Sequence, residues 1–169
     1  MKKFISAAIL SVVCIFNAAG AQAVEPWMSL NAKVIKMYQE KYYTRAIPVA
    51  QRALDAAENE YGSNSPQTVL ALNNLAMLYK KTKRYKAAEP LYLRALATSE
   101  MILPPNHPDF AVPLNNLAMF YDSQKNYKKA DAYSLRAINI LETTYGLGHP
   151  QVAEARQKYE QMKRQRVQT

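Results

Sequence analysis

Three stretches of the chain repeat at an interval of 42 residues, and this periodicity restricts the fold more than any other feature. Arg52-Ala53-Leu54, Arg94-Ala95-Leu96 and Arg136-Ala137-Ile138 fall in register. So do Tyr43, Tyr85 and Tyr127; Glu58, Glu100 and Glu142; and Pro66, Pro108 and Pro150. Leu72-Asn73-Asn74-Leu75-Ala76-Met77 recurs unchanged as Leu114-Asn115-Asn116-Leu117-Ala118-Met119. A unit repeated at this period cannot bury its apolar face alone and must stack on its neighbours, so a row of supersecondary units is expected instead of a closed globule.

The unit over residues 66–107 reads as two helices. Pro66 suits a helix start, where the first-turn N–H groups have no partner anyway. Leu72, Leu75, Ala76 and Tyr79 then recur on one helical face. Lys80 to Arg84 is a polar break, and a second apolar stripe runs through Tyr85, Ala88, Leu91, Tyr92, Ala95 and Leu96 up to Pro104-Pro105. Ala76 is expected to face Ala88, with Ala95 admitting the following unit, because small residues allow close helix approach. The first and third units close at Tyr61-Gly62 and Tyr145-Gly146, where glycine can take a left-handed cap. Pro113, Pro48 and Pro90 predict local bends or delayed helix starts without a break in the stack.

The N-terminus has a different character. Lys2 and Lys3 precede an apolar run from Phe4 to Phe16, and Ala21-Gln22-Ala23 follows as an A-x-A site. This layout predicts a signal peptide over residues 1–23 and an exported protein, periplasmic or secreted from a bacterium. The run is shorter than the roughly 20 residues that span a bilayer, so no membrane span is expected after cleavage. Cys14 leaves with that segment, and the remainder must hold together by packing without disulfides. The formal net charge is +9, falling to +7 without Lys2 and Lys3. This permits an anionic partner, although the cations gather in turns (Lys80, Lys81, Lys83, Arg84, Lys86; Lys125, Lys128, Lys129) and in the C-terminal tail, as solvated surfaces also require.

Leu75-Ala76-x-x-Tyr79, Tyr85, Ala88, Tyr92 and Ala95-Leu96 resemble the tetratricopeptide repeat. The longer unit, with Leu-Asn-Asn-Leu-Ala and a Gly/Pro-x-x-His-Pro linker, is similar to the repeats of kinesin light chains and their bacterial relatives. The resemblance covers about residues 28–160 and is weakest in the first unit, where Ala32, Lys33 and Val34 replace the expected Asn-Leu-Ala. It implies an all-α, right-handed α-solenoid: three helix pairs in repeats of about 28–65, 66–107 and 108–149, plus a capping helix at about 150–165 within a domain of residues 24–169.

The resemblance further implies that the first helices line a concave groove holding a protein or peptide. Carried onto this sequence, the contact positions are Asn31; Asn73, Asn74, Met77, Lys80 and Lys81; Asn115, Asn116, Met119, Asp122 and Ser123; and Lys158 and Gln161. A carboxamide both donates and accepts, so asparagines one repeat apart could pair with a peptide backbone regardless of its side chains. The groove is the favoured reading for Asn74 and Asn116, with an internal role as its alternative: an asparagine can bond to the neighbouring first helix and set the repeat spacing. Met77 and Met119 can serve as adaptable contacts or as core filler.

His107 and His149 stand a full repeat apart with no cysteine or carboxylate cluster, so capping is expected and a metal is not. The tyrosines fall on repeat positions and read as core, so no nucleic-acid partner is expected. No nucleophile elbow, phosphate loop or metal motif is present, and neither an enzymatic activity nor a cofactor is expected. The leading expectation is a peptide-binding scaffold. The alternatives are electrostatic binding of an acidic envelope polymer through the basic turns and tail, and end-to-end self-association.

Overall fold

The computed structural model describes residues 25–167, so the expected signal peptide lies outside the described residues. Seven α-helices and one 3-10 turn follow one another: α1 (Trp27–Gln39), α2 (Tyr43–Tyr61), α3 (Pro66–Lys81), α4 (Tyr85–Ile102), the 3-10 turn (Pro108–Phe110), α5 (Ala111–Ser123), α6 (Tyr127–Tyr145) and α7 (Pro150–Val167). They pack as three antiparallel pairs, α1/α2, α3/α4 and α5/α6, with α7 in the place of a fourth first helix. This is the expected all-α solenoid.

The turn inside each pair is the same device three times. Tyr42 N–H donates to the Met37 carbonyl, Arg84 to Tyr79 and Asn126 to Tyr121, while Lys41, Lys83 and Lys125 donate to carbonyls three residues back. These are Schellman closures, whose pivot residue is left-handed and usually glycine. Here the pivots are lysines, with φ of 62°, 59° and 60°. A side chain in that conformation costs about 1 kcal/mol, so each turn forgoes stability that glycine would supply.

The linkers between pairs vary. Ser65 caps α3 by accepting from Thr68 N–H, and Thr68 Oγ1 donates to the Gly62 carbonyl at 2.8 Å. Gly62 and Gly146 do have positive φ, 84° and 82°, but their ψ near 160° puts them in an extended region open essentially to glycine alone, not in the left-handed helical cap expected from the sequence. His107 Nδ1 accepts from Asp109 N–H and His149 Nδ1 from Gln151 N–H, each at 3.3 Å, so both histidines cap helix starts. Pro113 delays its helix: a 3-10 turn comes first, and α5 has 13 residues against 16 in α3. Helices α2 and α4 continue through Pro48 and Pro90.

Two apolar clusters form the core. One joins α1, α2 and α3, with Ala95 of α4, around Leu30, Val34, Leu54, Leu72, Leu75 and Leu78. The other joins α4, α5, α6 and α7, with Ala76 of α3, around Tyr92, Leu114, Leu117, Phe120, Ile138 and Val152. Ala76 and Ala88 are fully buried together in the second cluster. Ala95 belongs to the first cluster, so it admits the preceding unit and not the following one as the sequence reading expected. On the outer helices, Arg94 pairs with Glu58, Arg136 with Glu100 at 2.7 Å and Arg156 of α7 with Glu142 at 2.7 Å, while Arg52 reaches Glu25 at 3.3 Å. These pairs are solvated, and each is worth roughly 0–1 kcal/mol.

Candidate functional site

Helices α1, α3, α5 and α7 share an inner face turned away from the second helices. Its composition follows the repeat. Met28, Leu70 and Val112 occupy one register position and are 69%, 42% and 59% exposed. Seven residues further along, Ile35 and Met119 are exposed, with the equivalent Met77 half-buried. Two rows of exposed apolar side chains therefore flank the asparagines. Met77 and Met119 were singled out from the sequence. Met28, Ile35, Leu70 and Val112 were not, although the 42-residue interval marks them equally.

Between the two rows, the asparagines mostly bond to one another. Asn74 Nδ2 donates to Asn31 Oδ1 at 2.8 Å, joining α3 to α1. Asn116 Nδ2 donates to Asn73 Oδ1 at 3.1 Å, joining α5 to α3 in the same sense. Asn73, only 5% exposed, also donates to the Val69 carbonyl at 3.0 Å. Of the two roles weighed for these residues, the geometry gives Asn31, Asn73, Asn74 and Asn116 the internal one. Each spends one of its carboxamide groups on a bond between successive first helices.

Asn115 differs. The residue of α7 that would complete its rung is Lys158, whose ammonium instead pairs with Glu154 at 2.5 Å. The Asn115 carboxamide is half-exposed and has no hydrogen-bond partner among the described residues. Beside it, α5 and α7 leave a cleft of about 580 Å³. Asn115, Asn116, Met119, Asp122, Ser123, Lys158 and Gln161 all line it, so the structure brings together the third-unit and last-helix residues chosen from sequence. It adds Val112, Tyr159, Met162 and Gln165, which the sequence reading did not single out.

The lower rim of the cleft is fixed by charge. Arg166 donates to Asp122 at 2.6 Å and lies 2.8 Å from Asp131, with its guanidinium 4.6 Å from the Tyr127 ring centre. This ties the end of α7 to α5 and α6, and it engages one face of Asp122. Ser123 Oγ donates to the Phe120 carbonyl. Lys80 is half-buried, and desolvation first, then the neighbouring Lys81, holds its pKa below the usual lysine range, against the pull of Asp122. Lys81 does not join the cleft: it lies 5.7 Å from the Tyr38 and Tyr43 ring centres, in a hollow at the first two turns. Among the described residues, no group of three His, Cys, Asp or Glu side chains could hold a metal, and no helix is long and apolar enough to cross a membrane.

Stacked helix pairs with a lined inner face define a repeat scaffold. Comparison with known proteins agrees: the chain matches the tetratricopeptide repeat over residues 27–101 and again over 114–151. It belongs to the tetratricopeptide-repeat family. Among solved structures it is similar to a Podosopora anserina protein described as a kinesin light chain with nearly identical TPR-like repeats, with a TM-score of 0.69 and 16% identity over 80% of this chain and 64% of that one. It is also similar to BtubC (BKLC) from P. vanneervenii, with a TM-score of 0.64 and 25% identity over 73% of this chain. The chain thus spans 64% and 49% of the lengths of these two relatives. No curated protein matches it. Repeats of this family are protein-interaction scaffolds.

Proposed function

We propose that the protein is a non-catalytic scaffold that holds an extended polypeptide segment along its inner face, anchored in the cleft between α5 and α7. The observation that carries this reading is the free Asn115 carboxamide beside Met119 and Val112: a donor and an acceptor with no internal partner, next to exposed apolar surface. A peptide backbone pairs with one carboxamide through both its N–H and its carbonyl. The flexible Met119 and Met162 side chains adapt to different apolar residues of the ligand.

The reading is tested by selecting binders from a displayed random-peptide library and measuring them by fluorescence anisotropy. Asn115→Ala is expected to weaken the selected peptides about tenfold, in line with a lost pair of hydrogen bonds, while melting is unchanged. Undiminished binding by that variant removes the cleft from the account. Export is part of the same proposal. N-terminal sequencing of the protein recovered from the cell envelope or the medium is expected to begin at Val24, and a protein that retains Met1 refutes export by cleavage.

A further inference from the structure

The two edges of the solenoid differ in how much of their charge is paired. At the edge formed by the linkers between pairs, carboxylates are matched: Glu25, Glu58, Glu100 and Glu142 each hold an arginine. At the edge formed by the three turns within pairs, cations are left over. Lys41, Lys83, Arg84, Lys86, Lys125 and Lys128 are all exposed, and none has a carboxylate partner among the described residues. Other cations here do have partners: the Arg45 guanidinium lies 5.5 Å from the Tyr42 ring centre, Lys81 rests over Tyr38 and Tyr43, Lys129 pairs with Glu89 at 3.8 Å, and Arg166 serves Asp122 and Asp131.

The pivot lysines strengthen the point. Lys41, Lys83 and Lys125 occupy the one position in each turn where glycine is conformationally preferred, and each carries positive φ. Local structure therefore argues against lysine at all three places. A lysine kept there in every unit puts an ammonium at every turn tip. With first helices stacked at roughly 8–10 Å, the three tips lie in a row on the order of 20 Å long.

We propose that this turn edge is a second interaction surface, independent of the inner cleft, which seats the scaffold electrostatically on an anionic phospholipid bilayer. A bilayer fits the distribution better than a linear polyanion does. The exposed cations lie at the end of α3 (Lys81), in the turn (Lys83, Arg84), on α4 (Lys86) and at the neighbouring turns, a spread in two directions that an extended anionic plane meets more fully than a single strand.

The test is co-sedimentation of the purified protein with vesicles of phosphatidylcholine alone or mixed with phosphatidylglycerol, at low and high salt. Binding is expected only with the mixed vesicles and is expected to fall as salt rises. Lys41→Gly/Lys83→Gly/Lys125→Gly should lose on the order of a hundredfold in vesicle affinity, as three cations at an anionic surface would supply. Its melting temperature should be equal or higher, because glycine relieves the three pivots. Lys41→Asn/Lys83→Asn/Lys125→Asn, which also tolerates positive φ, should behave alike on vesicles. Asn115→Ala should bind vesicles as the parent does. Equal sedimentation with both vesicle types, or parental binding by either triple variant, overturns the proposal. Lysine-dependent capture of polyphosphate or duplex DNA in preference to the mixed vesicles also overturns it, by assigning the edge to a soluble polyanion.

Discussion

The junction between α3 and α5 and the junction between α5 and α7 use equivalent faces of equivalent helices but close in different ways. In the first, Asn116 donates across to Asn73 and the two helices meet. In the second, Lys158 stands where the next donor carboxamide would be and turns to Glu154, while Arg166 clamps the far end of α7 to Asp122 and Asp131. The helices are joined at one end and parted along the middle, and the cleft with its free Asn115 is the result. The same carboxamide chemistry therefore builds the scaffold where it is paired and offers a contact where it is not. A residue type repeated along a groove does not have one role.

Variants can break this contrast or sharpen it. The largest effect is expected at Arg166, which is 12% exposed on its side chain and serves two carboxylates. Arg166→Ala should cost about 2–3 kcal/mol in urea unfolding, below the range for a fully buried pair because the acids are partly solvated. Asn73→Ala follows, at about 1–3 kcal/mol, because it strands the Asn116 donor. A change within about 0.5 kcal/mol, as expected for Asn115→Ala, would erase the distinction between the two junctions. Lys158→Asn should complete the missing rung, gaining up to about 1 kcal/mol while weakening the selected peptides by occupying Asn115. Stability without loss of peptide binding would separate Asn115 from the ligand. The smallest effect is expected from Arg136→Ala on the outer surface, about 0.2–1 kcal/mol, vanishing in high salt.

Much of the architecture was legible from the residues because it rests on local rules. Proline at 66, 108 and 150, the histidines before the last two, the polar breaks and the buried alanines placed helix ends within a few residues. The pairing of asparagines was not legible, for a geometric reason. Repeat-equivalent positions are 42 apart, whereas the bonded pairs, Asn31–Asn74 and Asn73–Asn116, are 43 apart. Each first helix meets its two neighbours with different sides, Asn74 bonding back to Asn31 and Asn73 forward to Asn116, so lining up equivalent positions shows which residues share a role and not which residues touch. The ion pairs on the outer helices hid in the same way. Arg94 and Arg136 were visible as repeats, but their acids lie 36 residues before them, on the preceding second helix.

What the chain determined by itself is the unit: its length, its two helices, the small residues that let them approach and the lysines at its turns. These follow from backbone preferences and from the 3.6-residue period, which act within a few residues of one another. What the tertiary structure alone decided is how far each unit slides and turns against the next. That offset pairs four of the five asparagines and leaves Asn115 open. It depends on contacts between residues more than thirty positions apart, and no local rule encodes it.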